Sequence, residues 1–104
     1  MLRAATLAVC LAVLPAAALA AGKTHTVTIE GMKNNPQRLE VAAGDTVVWT
    51  NKDVVPHTVT ATQAKVESGE IAPGKSWRFV AKKKGEMPYV CRIHPTMKGV
   101  LIVK

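Results

Sequence analysis

The sequence predicts an all-β fold, a single small antiparallel sandwich or barrel of seven or eight strands, on three observations. Past residue 22, apolar and polar residues alternate with a period of two, and no helical periodicity interrupts them. The alternating runs are short and are separated by turn signals rich in Gly, Pro, Asn and Asp. No internal repeat, low-complexity segment or composition break marks a second domain.

The first twenty residues stand apart. Arg3 gives a short positive start, Ala4 to Leu14 is an uncharged apolar run, and Ala18-Leu19-Ala20 is a small-x-small cleavage signal. Residues 1–20 therefore read as an export signal peptide, with a single domain over 21–104 beginning at Ala21. A retained anchor needs a longer apolar run and charge on its far side. Lipidation at Cys10 needs a small residue before it, where Val9 stands. The expectation is a monomeric exported domain in the periplasm, with no membrane insertion.

Taken in order, Thr24 to Glu30 alternates with Val27 and Ile29 inward, and His25 at its outer end has a structural role. Gly31 to Pro36 is a turn, and Leu39 and Val41 mark a second strand. Ala43-Gly44-Asp45 turns the chain into Thr46 to Thr50, where Val47 and Trp49 face inward. A loop over Asn51 to Pro56 then delivers His57, with Pro56 restricting the backbone ahead of it. Val59 and Ala61 share one face of the next strand, and residues 63–74 are irregular. Trp77, Phe79 and Ala81 line one face of the following strand. Gly85 to Pro88 turns into Tyr89-Val90-Cys91, and Gly99 to Lys104 closes the sheet with Val100 and Ile102 in one row.

Chemistry concentrates in Cys91-Arg92-Ile93-His94-Pro95-Thr96-Met97, read with His57. A lone Cys is usually a small buried apolar residue, and a lone Met or strand His is usually packing. The joint pattern is more specific: Cys-x2-His-x2-Met can wrap three side chains around one point, and the upstream Val-Pro-His-Thr-Val supplies another imidazole. Two His and one Cys with a weak axial Met is the donor set of blue-copper electron-transfer sites. The predicted metal ligands are His57, Cys91, His94 and Met97, around one copper ion cycling between Cu(I) and Cu(II). With Cys10 removed in the signal, Cys91 has no disulfide partner, which in an oxidising compartment favours a ligand role.

These residues resemble a cupredoxin of the plastocyanin/amicyanin type, and the short ligand loop is most similar to amicyanin. The resemblance extends over Gly44 to Asp53, Val55 to Val59, Ser68 to Gly74 and Tyr89 to Cys91. It implies a Greek-key sandwich, a one-electron carrier rather than an enzyme, and electron exit through His94 at the surface. Protein side chains fill each coordination position, and three histidines are too few for the extra copper cluster of an oxidase. The resemblance also suggests that His94 can leave Cu(I) and take up a proton at low pH. Around His94, Met32, Val55, Pro56, Ile71, Ile93 and Pro95 are expected to form an apolar docking patch for redox partner proteins.

Charge adds the rim of that patch. The chain carries 14 Lys and Arg against 7 Asp and Glu, and removing Arg3 with the signal leaves a formal charge of +6. Lys33, Lys52, Arg92 and Lys98 would steer an acidic partner. Nucleic acid is excluded by the compartment and by the lack of aromatics interleaved with basic residues. Copper delivery by a chaperone is the competing function, and it wants exchangeable ligands such as Met clusters or exposed Cys pairs. A zinc-filled or metal-free structural domain is the third.

Two positions depart from the family pattern. Thr58 stands where relatives usually carry Asn, so its hydroxyl is expected to bond loop backbone near Arg92. Ile93 stands where amicyanin and plastocyanin have Pro, so its N–H is expected to donate to the Cys91 sulfur beside that of Thr58.

Overall fold

The computed structural model describes residues 22–104, so the expected signal peptide over 1–20 and the expected start at Ala21 lie outside the described residues. Nine strands are formed: β1 (Thr24–Glu30), β2 (Lys33–Asn35), β3 (Arg38–Val41), β4 (Thr46–Asn51), β5 (Thr60–Ala61), β6 (Val66–Glu67), β7 (Ser76–Val80), β8 (Gly85–Val90) and β9 (Lys98–Val103). They build a four-stranded sheet ordered β2-β1-β4-β7 and a five-stranded sheet ordered β3-β9-β8-β5-β6. The all-β sandwich is as expected. Among the described residues, no helix is long and apolar enough to cross a membrane.

The expected purely antiparallel pairing is not what forms. β1 pairs parallel with β4, and β3 pairs parallel with β9. Period-two alternation identifies a strand and its buried face, but it carries no information about the direction of the neighbour. The extra strand β2 comes from the stretch expected as a turn. Gly31 and Met32 both have φ of 61°, which is the two-residue hairpin turn whose twist matches the flanking strands.

The core fills the space between the sheets. Val27, Ile29, Val47 and Trp49 come from one sheet, and Met87, Tyr89, Leu101 and Val103 come from the other. Trp49 is fully buried, and its Nε1–H donates to Tyr89 Oη at 3.2 Å across the two sheets. The rings meet edge to face at 5.5 Å, an arrangement that adds quadrupole attraction to area burial. Tyr89 lies opposite Gly99 in the β8–β9 register, where a Cβ on residue 99 would collide with its ring.

That close approach also corrects the phase of β9. Leu101 and Val103 join the main core, rather than Val100 and Ile102. Met97 and Gly99 are already buried as the strand begins, so alternation from Met97 carries 101 and 103 inward. His25 has the structural role expected of it. Its Nε2 bonds Asp45 Oδ2 at 2.8 Å, and Asp45 also accepts the amides of Lys23 and Ala42. The His25 bond is the largest of the contacts that hold the Asp45 carboxyl below its usual value.

Candidate metal centre

His57 reaches the site from an irregular segment between β4 and β5. Its backbone exchanges two hydrogen bonds with Ile71, at 3.2 and 2.7 Å, so the segment is pinned from the 71 side. Buried Asn51 braces the approach, donating through Nδ2 to Val55 O and Ile71 O and accepting the Asp53 amide at Oδ1. The loop from Cys91 to Met97 joins β8 to β9. It is closed by Cys91 N–H to Met97 O and Met97 N–H to His94 O, both at 2.9 Å.

These two supports bring three donors together. Cys91 Sγ lies 3.7 Å from His57 Nδ1 and 3.8 Å from His94 Nδ1. All three donor atoms lie within 4.8 Å of one another. The group fits a metal ion. Donors about 2.1 Å (N) and 2.3 Å (S) from a shared point, roughly 120° apart, stand about 3.8 Å from each other. His57 and Cys91 are 0% exposed, and Met97 on the same loop is 3% exposed. His94 is half-buried. One thiol and two imidazoles are soft and borderline donors, which suit copper, and Met97 is buried at the end of the same loop.

The protein prepares the thiol to be a thiolate. Burial pushes the Cys91 thiol up, but the Thr58 amide, the His57 ring, and the amide and ring of His94 outweigh it, bringing its pKa from 9.0 to about 6. The Thr58 N–H donates to Sγ at 3.3 Å. The Thr58 hydroxyl accepts the Arg92 amide at 3.0 Å, as expected from the sequence. The second expectation fails: Ile93 N–H makes no hydrogen bond to the sulfur, and among the described residues Thr58 N–H is the backbone donor that does so at hydrogen-bond geometry. The loop is instead closed on itself by Met97 N–H to His94 O.

Asp53 is the functional residue that sequence reading missed. Its Oδ2 lies 2.7 Å from His57 Nε2, and its carboxylate also accepts the amides of Gly31 and Met32 at 2.7 and 3.0 Å. A carboxylate can only accept, so Nε2 donates to Asp53, and a bound metal would take the lone pair of Nδ1, the ring nitrogen that faces Cys91. The signal was a carboxylate four residues before the histidine, but its meaning depends on the 31–32 turn folding over it.

The exposure of the residues expected to form the apolar patch differs from expectation at two positions. Ile71 is 4% exposed and belongs to the core, whereas Val54 is 92% exposed and Met32 is 42% exposed. Val55, Pro56 and Ile93 are partly exposed and Pro95 is exposed, while Lys33, Lys52, Arg92 and Lys98 all reach solvent.

A two-sheet sandwich with His, Cys and His donors gathered at a β8–β9 loop is the architecture of cupredoxins. Comparison with known proteins agrees: the cupredoxin-like domain profile matches residues 3–103. The chain belongs to the cupredoxin-like family. It is 30% identical over 89 residues to amicyanin-alpha of Methylorubrum extorquens, covering 81% of this chain and 74% of that protein. The oxidised structure of an amicyanin variant superposes with a TM-score of 0.74 at 29% identity, covering 85% of this chain and 88% of its own. A copper-containing nitrite reductase from Thermus scotoductus superposes at 0.73 with 29% identity, over 78% of this chain but 22% of the reductase.

Proposed function

We propose that this protein is a periplasmic type 1 copper protein that carries single electrons between redox partners, with His57, Cys91, His94 and Met97 as the metal ligands. The observation that carries this reading is the convergence of Cys91 Sγ with two Nδ1 atoms at 3.7 and 3.8 Å from segments more than thirty residues apart. The similarity to amicyanin supports the same reading. Bound copper supplies a one-electron Cu(I)/Cu(II) couple.

The residues explain how such a site works. Electron transfer is fastest when the surroundings change little between oxidation states. His57 is held by Asp53 and Ile71, Cys91 by Thr58 and Met97, and the loop by its own turn. Burial of His57, Cys91 and Met97 keeps water from reorganising around the charge. Half-buried His94 gives the exit toward a partner, and the exposed Met32, Val54 and Pro95 supply apolar contact with lysines at the rim. With four donors all supplied by protein, no coordination position is left for a substrate, which favours a carrier over an enzyme. Fully buried His57 and Cys91 also favour electron transfer over release of the metal.

The test is direct. On adding Cu(II), the purified domain should develop an intense visible thiolate-to-Cu(II) band that Cys91→Ser abolishes. Copper should leave more slowly than electrons exchange between molecules. A colourless complex with fast metal loss would turn the assignment to metal delivery.

A further inference from the structure

Thr58, Thr60, Glu67 and Arg92 form a closed hydrogen-bond circuit beside the thiol. The Arg92 amide donates to Thr58 Oγ1 at 3.0 Å, and Thr58 Oγ1 lies 2.8 Å from Thr60 Oγ1. Thr60 donates to Glu67 Oε1 at 2.9 Å, and Arg92 Nε donates to that same oxygen at 3.0 Å. The circuit therefore begins and ends on the residue that follows Cys91. Its direction is forced, because N–H groups only donate and a carboxylate only accepts. Both hydroxyls must point their protons toward Glu67.

Glu67 is itself fixed, since its other oxygen accepts the Gly69 amide at 2.7 Å. The next residue, Ser68, accepts the Val59 amide at Oγ and donates its own amide to Val59 O. The Ile71 N–H to His57 O bond holds the peptide that carries the Thr58 amide, and the circuit adds a second anchor by tying the Thr58 side chain to the residue after Cys91. An exposed ion pair such as Arg92–Glu67, with side chains 48% and 44% exposed, contributes little alone. At the end of an aligned chain it polarises the bonds before it.

We propose that Thr60 and Glu67 are positioning residues for the Cys91 thiolate: they hold the Thr58 N–H on the sulfur and so limit the electron density it gives to copper. The inference rests on the copper reading above. A purely structural role for the same circuit would alter stability and leave the electronic properties of the site alone.

Thr60→Val removes the central hydroxyl, and Thr60→Ser restores it. In copper-loaded protein, the Val variant should show a lower reduction potential and a shifted Cu–S stretching frequency, because a loosened N–H leaves more charge on sulfur and favours Cu(II). The Ser variant should match the parent. Glu67→Ala, at an exposed position, should move both readouts the same way, and Glu67→Gln, which keeps one acceptor oxygen but cannot also accept the Gly69 amide, should fall between Ala and the parent. Potentials and Cu–S frequencies equal to the parent in the Val and Ala variants would overturn the proposal, even if both melt earlier. If the parent itself forms no Cu(II)–thiolate centre, the copper reading fails on its own. The circuit is then read in the metal-free protein by hydrogen exchange at the Thr58 amide. That rate should rise at least tenfold in Thr60→Val and return in Thr60→Ser; an unchanged rate rejects the positioning role.

Discussion

A single carboxylate decides which nitrogen of His57 faces the thiol. Asp53 accepts the Nε2–H hydrogen bond at 2.7 Å and is steadied by the amides of Gly31 and Met32. Outer partners of this kind orient an imidazole and raise its basicity, and their loss usually costs about 10–100-fold in metal affinity. Asp53→Ala should therefore weaken copper binding by about that factor, read by competition with a chelator of known affinity. An affinity within twofold of the parent would mean that the Ile71 bridge alone orients the ring. The proposed ligands could be singled out in the sequence because three of them share one short loop, and spacing within a loop survives folding. The Thr58 hydroxyl was legible for a related reason: residues flanking two ligands that converge must themselves be neighbours. The misreading of Ile93 shows the limit. Counting residues from Cys91 does not say which amide meets the sulfur, and in the fold that amide is Thr58's, from the other segment.

At the scale of strands, β8 and β9 carry the ligand loop between them, so their fit governs its geometry. Gly99 leaves room for the Tyr89 ring, which in turn accepts the Trp49 Nε1–H from the other sheet. Gly99→Ala forces the ring against the core and should cost about 1–3 kcal/mol, the usual range for overpacking. Tyr89→Phe removes only the acceptor and should cost about 1 kcal/mol. Denaturant titration of the two variants separates them, and a Gly99→Ala cost no larger than that of Tyr89→Phe would show that the ring can move aside. Alternation alone identified the inward residues of β1 and β4, where one face is buried. It failed on β9, the strand between β3 and β8, because Leu101, Ile102 and Val103 are all buried and the apolar run has no clear phase. Strand direction in the β1–β4 and β3–β9 pairs was invisible, since it is set by connections between the sheets and not by any residue in the strands. Pro88 was expected in a turn. It sits within β8 where β9 is the paired neighbour and β5 reaches only as far as Val90, an edge setting in which a missing N–H is tolerated.

For the whole molecule, the proposed ligands divide between two segments that the chain brings together only when folded. His57 belongs to the stretch bridged to Ile71, while Cys91, His94 and Met97 lie between β8 and β9. An unfolded chain holds these donors too far apart to bind as one site, so metal affinity is linked to folding. A ligand that binds only the folded form stabilises it by about 2.7 kcal/mol at a free concentration of 100 times Kd. In a domain of this size each kcal/mol moves the melting temperature by about 4–8 °C. Copper at that concentration should thus raise Tm by roughly 10–20 °C. The size of the domain makes the effect important, because a chain this short buries a smaller share of its surface than a larger one. Cys91→Ser should keep the metal-free Tm within a few degrees of the parent and lose most of the copper-induced rise. The rise should also shrink as copper falls toward Kd, which distinguishes linkage from nonspecific binding of Cu(II) to the protein surface. An equal rise in the Ser variant would place the stabilising copper elsewhere on the chain, and the absence of any rise in the parent would mean that the two segments do not close on the metal together.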